Sequence, residues 1–202
     1  MPLMAREGEA RQKQLPPAGT HVARCYSVID LGTQDGAFGS RHKVRVTWEL
    51  PEEKAVFKEE DGPQPFVLSK EYTLSLFEKA NLRHDLEAWR GKEFTAEELK
   101  GFDIFSLLGV PCMLTVVHKT TPAGKTFANV QGVGKMPKGV PCPPQINESV
   151  QFEITDGRSI AFERMPRWLQ EKIEASEEWD EFPEPPEDLD DKNTDNDTQI
   201  PF

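Results

Sequence analysis

In His42-Lys43-Val44-Arg45-Val46-Thr47-Trp48-Glu49-Leu50, polar and apolar side chains alternate from Lys43 to Leu50. Successive side chains of a strand point to opposite faces. Val44, Val46, Trp48 and Leu50 therefore share one face, and Lys43, Arg45, Thr47 and Glu49 share the other. This predicts a strand with one buried and one solvated face, ended by Pro51. Upstream, residues 21–31 are extended in character and stop at Gly32, and residues 32–40 hold three glycines and read as a turn or flexible loop. Downstream, residues 51–65 are charged, contain Gly62, Pro63 and Pro65, and read as a long loop before a third strand over 66–74.

The period then changes. Ser75-Leu76-Phe77-Glu78 matches a capping box, in which serine and glutamate satisfy free backbone donors at a helix start. Leu82, Leu86 and Trp89 follow at helical spacing, and Gly91 can close the helix. Thr95-Ala96-Glu97-Glu98 is a second capping box before a short helix that stops at Gly101. Residues 112–119 are mostly apolar, as in a central strand; residues 120–124 form a turn; residues 125–133 return as the hairpin partner. A proline-rich loop follows Gly134. A short helix over 166–176 carries Trp168, Leu169 and Ile173 as its apolar face.

The expected fold is mainly β. A helix between the third and fourth of five strands is the order of an OB-fold barrel. The periodicity supplies the element order, and closure into a barrel rests on analogy with that fold. The expected organisation is a mobile N-terminal arm over 1–18, an OB-type domain over 19–150, an extension with a short helix over 151–176, and a disordered acidic tail over 177–202.

Charge placement sharpens this division. The formal net charge is −11. Residues 1–173 carry 23 acidic and 23 basic side chains, so the whole excess lies in residues 174–202, where Lys192 is the one cation. A balanced body can present a basic face. Three cysteines without CxxC spacing suggest neither a disulfide framework nor a zinc site, and fit a reducing cytoplasm. No run approaches the ~18 apolar residues of a membrane span. Motifs of hydrolases, zinc proteases and phosphate-binding loops are missing, the four histidines have no ligand spacing, and no metal, cofactor or catalytic residue is expected.

A surface for single-stranded nucleic acid needs cations that track phosphates and aromatic faces that stack on unpaired bases. The expected strands offer both. Arg24 and Tyr26 share a face of the first; Lys43 and Arg45 lie on the polar face of the second; Lys70 and Tyr72 share a face of the third. His118 and Lys119 end the fourth, Lys125 opens the fifth, and Phe127 and Asn129 alternate along it. Phe38 sits in the glycine-bearing loop, as an aromatic finger or a loop anchor. Trp48, Trp89 and Trp168 read as core.

The chain ends in Asp195, Asp197 and then Ile200-Pro201-Phe202. This resembles the acidic Ile-Pro-Phe tip of bacterial single-stranded DNA-binding proteins, with Thr198-Gln199 in place of the adjacent acidic pair. Over residues 19–150 the chain resembles bacteriophage single-stranded DNA-binding proteins. Ser69-Lys-Glu-Tyr-Thr-Leu-Ser75, Ala80-Asn-Leu-Arg-His-Asp-Leu-Glu-Ala-Trp-Arg-Gly91 and Leu114-Thr-Val-Val-His-Lys-Thr120 carry that resemblance. It implies sequence-independent coating of single strands in phage replication, recombination or repair, in the host cytoplasm. The tip is then a docking peptide for replication and repair proteins, and the tail a competitor for the DNA groove. The rival expectation is a protein-interaction adaptor whose tail mimics nucleic acid or the host tip.

Overall fold

The structure, a computed structural model, describes residues 14–37 and 39–181. Phe38, most of the N-terminal arm, and the tail with Asp195, Asp197, Ile200, Pro201 and Phe202 lie outside the described residues. Strands β1 (Gly19–Gln34), β2 (Arg41–Val56), β3 (Pro63–Thr73), β4 (Pro111–Thr120) and β5 (Thr126–Gly134) form one sheet in the order β3-β2-β1-β4-β5. Their pairings are antiparallel, and a short β6 (Val150–Phe152) adds parallel to β1 at Ser27–Ile29. The fold is mainly β, with six strands where five were expected.

The sheet is open. Edge strands β3 and β5 come into contact, yet no hydrogen-bonded ladder joins them among the described residues. Helix α1 (Asn81–Arg90) packs against both edges. Leu82, Leu86 and Trp89 are its buried face, the Trp89 ring meets Trp48 at 5.9 Å, and Trp89 Nε1 donates to Pro111 O at 2.8 Å. Gly91 ends the helix in the left-handed region at φ 65°, as the sequence predicts. The start differs. Ser75 Oγ accepts from Phe77 N in a local turn, and the helix begins only at Asn81, without a side-chain cap. The second capping box does form: Thr95 Oγ1 accepts from Glu98 N, and Glu98 Oε2 accepts from Thr95 N. Only a single 3-10 turn follows it, Glu98–Lys100.

Strand β2 runs past Pro51, where a loop was expected. A register shift between Leu50 and Lys54 leaves Pro51 outside the ladder, so its missing N–H costs nothing. The hairpin then continues to Val56 opposite Pro63.

Two apolar clusters form, and β1 belongs to both. Ala23, Cys25 and Val28 join Val44, Val46, Trp48 and Leu50 in the larger core. Ile29 and Leu31 join Phe152, Phe162, Leu169, Ile173 and Trp179 in the second. The second cluster seats the extension, with α2 (Ile160–Glu163) and α3 (Arg167–Glu174), on the outward face of β1. Burial continues beyond the expected end of order at 176. Trp179 is buried and stacks on Phe162 at 4.7 Å, Glu177 N donates to Thr33 O, and the Glu178 carboxylate accepts from Thr33 N and Oγ1.

Gly32 is where extension and strand meet most closely. Its φ is +65°, and an added Cβ would fall on Ile154 Cδ1 and Ser176 Cβ. Gly32→Ala is expected to destabilise the chain by about 2–4 kcal/mol, combining left-handed backbone strain with overpacking. Urea unfolding read by tryptophan fluorescence checks this; a change under about 0.5 kcal/mol, the scale of a neutral surface substitution, would contradict the close approach.

Candidate nucleic-acid interface

A register shift in β1 shapes the candidate surface. Cys25 pairs with Trp48 and Ser27 with Thr47, which leaves Tyr26 as the extra residue of a β-bulge. A bulge re-aims side chains. Tyr26 and Ser27 both line the outward surface, followed by Ile29, and opposite them stand Arg45 and Thr47 of β2 and Val67 and Ser69 of β3. Arg164, Pro166 and Trp168 of the extension form the far wall. The groove has a volume of ≈ 290 Å³. Arg45 and Arg164 are its charged lining residues, and no carboxylate lines it among the described residues. Burial, with the Glu49 carboxylate adding to it, pushes the Tyr26 phenol above its ordinary pKa, so the ring enters the groove neutral.

Four residues fasten the far wall. Arg45 and Glu71 face each other across β2 and β3, and Trp168 and Lys172 share a stripe of α3 at i, i+4 spacing. The two pairs meet in register. The Arg45 guanidinium lies 4.8 Å from the Trp168 ring centroid, and Lys172 Nζ lies 2.6 Å from Glu71 Oε2. Arg45 Nη1 also reaches Glu71 Oε1 at 3.1 Å. One carboxylate thus holds two cations, and one positive charge stays uncompensated at the groove.

Trp168 corrects the expectation of a core residue. Leu169 and Ile173 are the buried stripe of α3; Trp168 lies one residue, about 100°, around the helix and is 50% exposed. Val67, 47% exposed, lines the same groove.

The structure distributes the other expected residues unevenly. Tyr26 and Arg45 reach the groove, and Lys43 is on the same outward side of β2, without an ion-pair partner among the described residues. His118, Lys119, Lys125, Phe127 and Asn129 gather separately at the β4–β5 hairpin. Lys119 pairs with Phe127, which is 36% exposed; Lys125 sits in the exposed turn; His118 Nε2 lies 2.8 Å from Pro16 O, at the end of the N-terminal arm.

Three expected residues are spent on structure. Tyr72 is 4% exposed and donates its hydroxyl to Asp85 Oδ2 at 2.7 Å, so it has no face to offer a base. Lys70, on the same inward side of β3, pairs with that carboxylate at 2.6 Å. Phe66, Leu68 and Tyr72 make this the core face; the outward face is Val67, Ser69 and Glu71. Arg24 donates Nη1 to Gly109 O at 2.5 Å and Nη2 to Pro143 O at 3.1 Å, tying two loops together. Its cross-strand neighbour Glu49, fully buried, accepts the backbone N–H groups of Ile146 and Asn147. That pair anchors the proline-rich loop.

A second cleft of ≈ 520 Å³ lies between the β3–α1 connection and residues 99–105. Its charged lining is Lys100, Asp103 and Glu153, a net negative set that does not suit phosphates. Among the described residues no group of three or more His, Cys, Asp or Glu is placed to hold a metal ion, and no helix is long and apolar enough to cross a membrane. No protein-family model matches the chain, and no curated protein matches its sequence.

Tyr72→Phe removes one hydrogen bond to a buried carboxylate that keeps Lys70. It is expected to cost about 1–2 kcal/mol in stability and to leave nucleic-acid affinity unchanged. Denaturation and binding titrations on one variant check both halves; weaker binding at unchanged stability would return Tyr72 to the interface.

Proposed function

We propose that this chain is a non-enzymatic protein that binds single-stranded DNA without sequence preference, in phage replication, recombination or repair in the host cytoplasm. The observation that carries the reading is the groove. Its aromatic and hydroxyl side chains come with two arginines and no lining carboxylate, in a chain of net charge −11. Phosphates supply most of the affinity of such a surface, and aromatic faces supply contacts that any base satisfies. The strand order and the helix between β3 and β4 support an OB-type barrel whose β3–β5 seam lacks a ladder.

The C-terminal segment supplies the regulation in this reading. Residues 182–202 hold seven carboxylate side chains and one lysine, and follow directly on the buried Trp179 anchor. A tethered polyanion competes with DNA for the groove at high effective concentration. Once displaced, Ile200-Pro201-Phe202 is free to dock on replication or repair proteins.

Titration with poly-dT tests this. Binding is expected at low salt, with affinity falling steeply as salt rises. Removal of residues 182–202, which spares Trp179, is expected to tighten binding several-fold. Tyr26→Ala is expected to weaken it by about 1–3 kcal/mol. Absence of binding by the truncated chain at low salt, or preference for duplex DNA, would overturn the reading.

A further inference from the structure

Trp168 stands out from the other tryptophans. Trp48, Trp89 and Trp179 are 1%, 5% and 7% exposed, and each meets another aromatic ring. Trp168 is 50% exposed and meets a cation. It adds nothing to the second cluster, which Leu169 and Ile173 already serve from the same helix. Large aromatic side chains left half open beside cations are the kind of surface that takes a planar ligand.

The contacts around it fix the ring's pose. Arg45 lies over one face of the indole, and Glu71 holds Arg45 from the neighbouring strand. Lys172, one turn along α3, is bound to the same Glu71. The helix therefore cannot roll without breaking the Lys172 contact, and the indole cannot swing without leaving Arg45. A pre-positioned ring loses little freedom when a ligand stacks on it. Arg164 and Tyr26 line the same groove, so a phosphate and a second ring are both within the surface that Trp168 borders.

Resting on the reading of the groove as a single-strand site, we propose that Trp168 is its principal base-stacking residue. An unpaired base stacks on the open indole face, giving a guanidinium–indole–base sandwich, and Glu71 and Lys172 are the positioning residues that hold the platform. The ligand class is an unpaired nucleobase in a single strand, with a phosphate of the same strand on Arg164.

The test uses the full chain and oligo-dT at low salt, read by intrinsic fluorescence and by anisotropy of labelled DNA. Because Trp168 is the one exposed tryptophan of the four, DNA is expected to quench the exposed, red-shifted part of the emission. Trp168→Phe, Trp168→Leu and Trp168→Ala are expected to abolish that quenching. Affinity is expected to fall in the order Trp, Phe, Leu, Ala, with Ala losing roughly 5- to 150-fold, the span of one base stack. Lys172→Met keeps the ring and removes the contact to Glu71, and is expected to lose less than Ala. Equal affinity of the Leu variant and the unaltered protein would overturn the stacking role while leaving single-strand binding intact. Loss in Lys172→Met as large as in Trp168→Ala would make the tryptophan a helix pin and overturn it too. No binding by the unaltered protein would sink the reading of the groove itself, and the platform with it.

Discussion

From Ser27 to Gly32 the first strand is buried on both of its faces, and the rest of the molecule is arranged to satisfy that condition. The inner side is met by β2 and the main core. The outer side, with Ile29 and Leu31, needs an apolar cover that the sheet itself cannot supply, and β6, α2 and α3 provide it. At about 1.5–3 kcal/mol for each large apolar side chain buried, this cover is a substantial share of the stability of a small domain. It has a geometric consequence. The cover stops short of Tyr26, Arg45 and Val67, and the space between its edge and the sheet is the groove. A site arises where structural burial ends.

The groove's chemistry depends on how its wall is held. Burial of Leu169 and Ile173 places α3 and sets its rotation. The Arg45–Glu71 and Trp168–Lys172 pairs orient the side chains on its open face, because an i, i+4 pair on a helix and a directly opposed pair on a sheet have similar spacings. Partly exposed ion pairs of this kind are worth about 0–1 kcal/mol each. Their effect is therefore on orientation more than on stability. Cations and aromatic faces end up on one wall, and the carboxylate excess sits in the C-terminal segment.

Much of this was legible in the sequence wherever one period ruled. The alternation from Val44 to Leu50 matches the inward set, while Thr47 and Glu49 of the expected solvated set are buried; Trp89, Gly91 and the Thr95–Glu98 box behave as their spacing predicts. Period 2 assigns residues to two faces without saying which is the core, so the polar ends of Lys70 and Tyr72 suggest an outward face where the fold puts them inward. The bulge at Tyr26 changes the phase of β1 in mid-strand, and no local residue signals it. In α3, Trp168–Lys172 and Leu169–Ile173 are both i, i+4 pairs. The lysine marks the first as the solvent stripe, a clue that the mixed Trp168, Leu169 and Ile173 set obscured. Glu71 and Glu49 act through partners distant in sequence, and Arg164 lines the groove with residues of β1–β3 far from it in sequence, which no local pattern contains.

The central claim is that single strands enter the groove between the outward face of β1–β3 and α3. Mapping backbone amide shifts of the ¹⁵N-labelled chain on addition of oligo-dT tests it most directly. The account predicts perturbations clustered on residues 26–29, 45–47, 67–69 and 164–172. Perturbations confined to the β4–β5 hairpin, or to the cleft around residues 74–76 and 99–105, would contradict it.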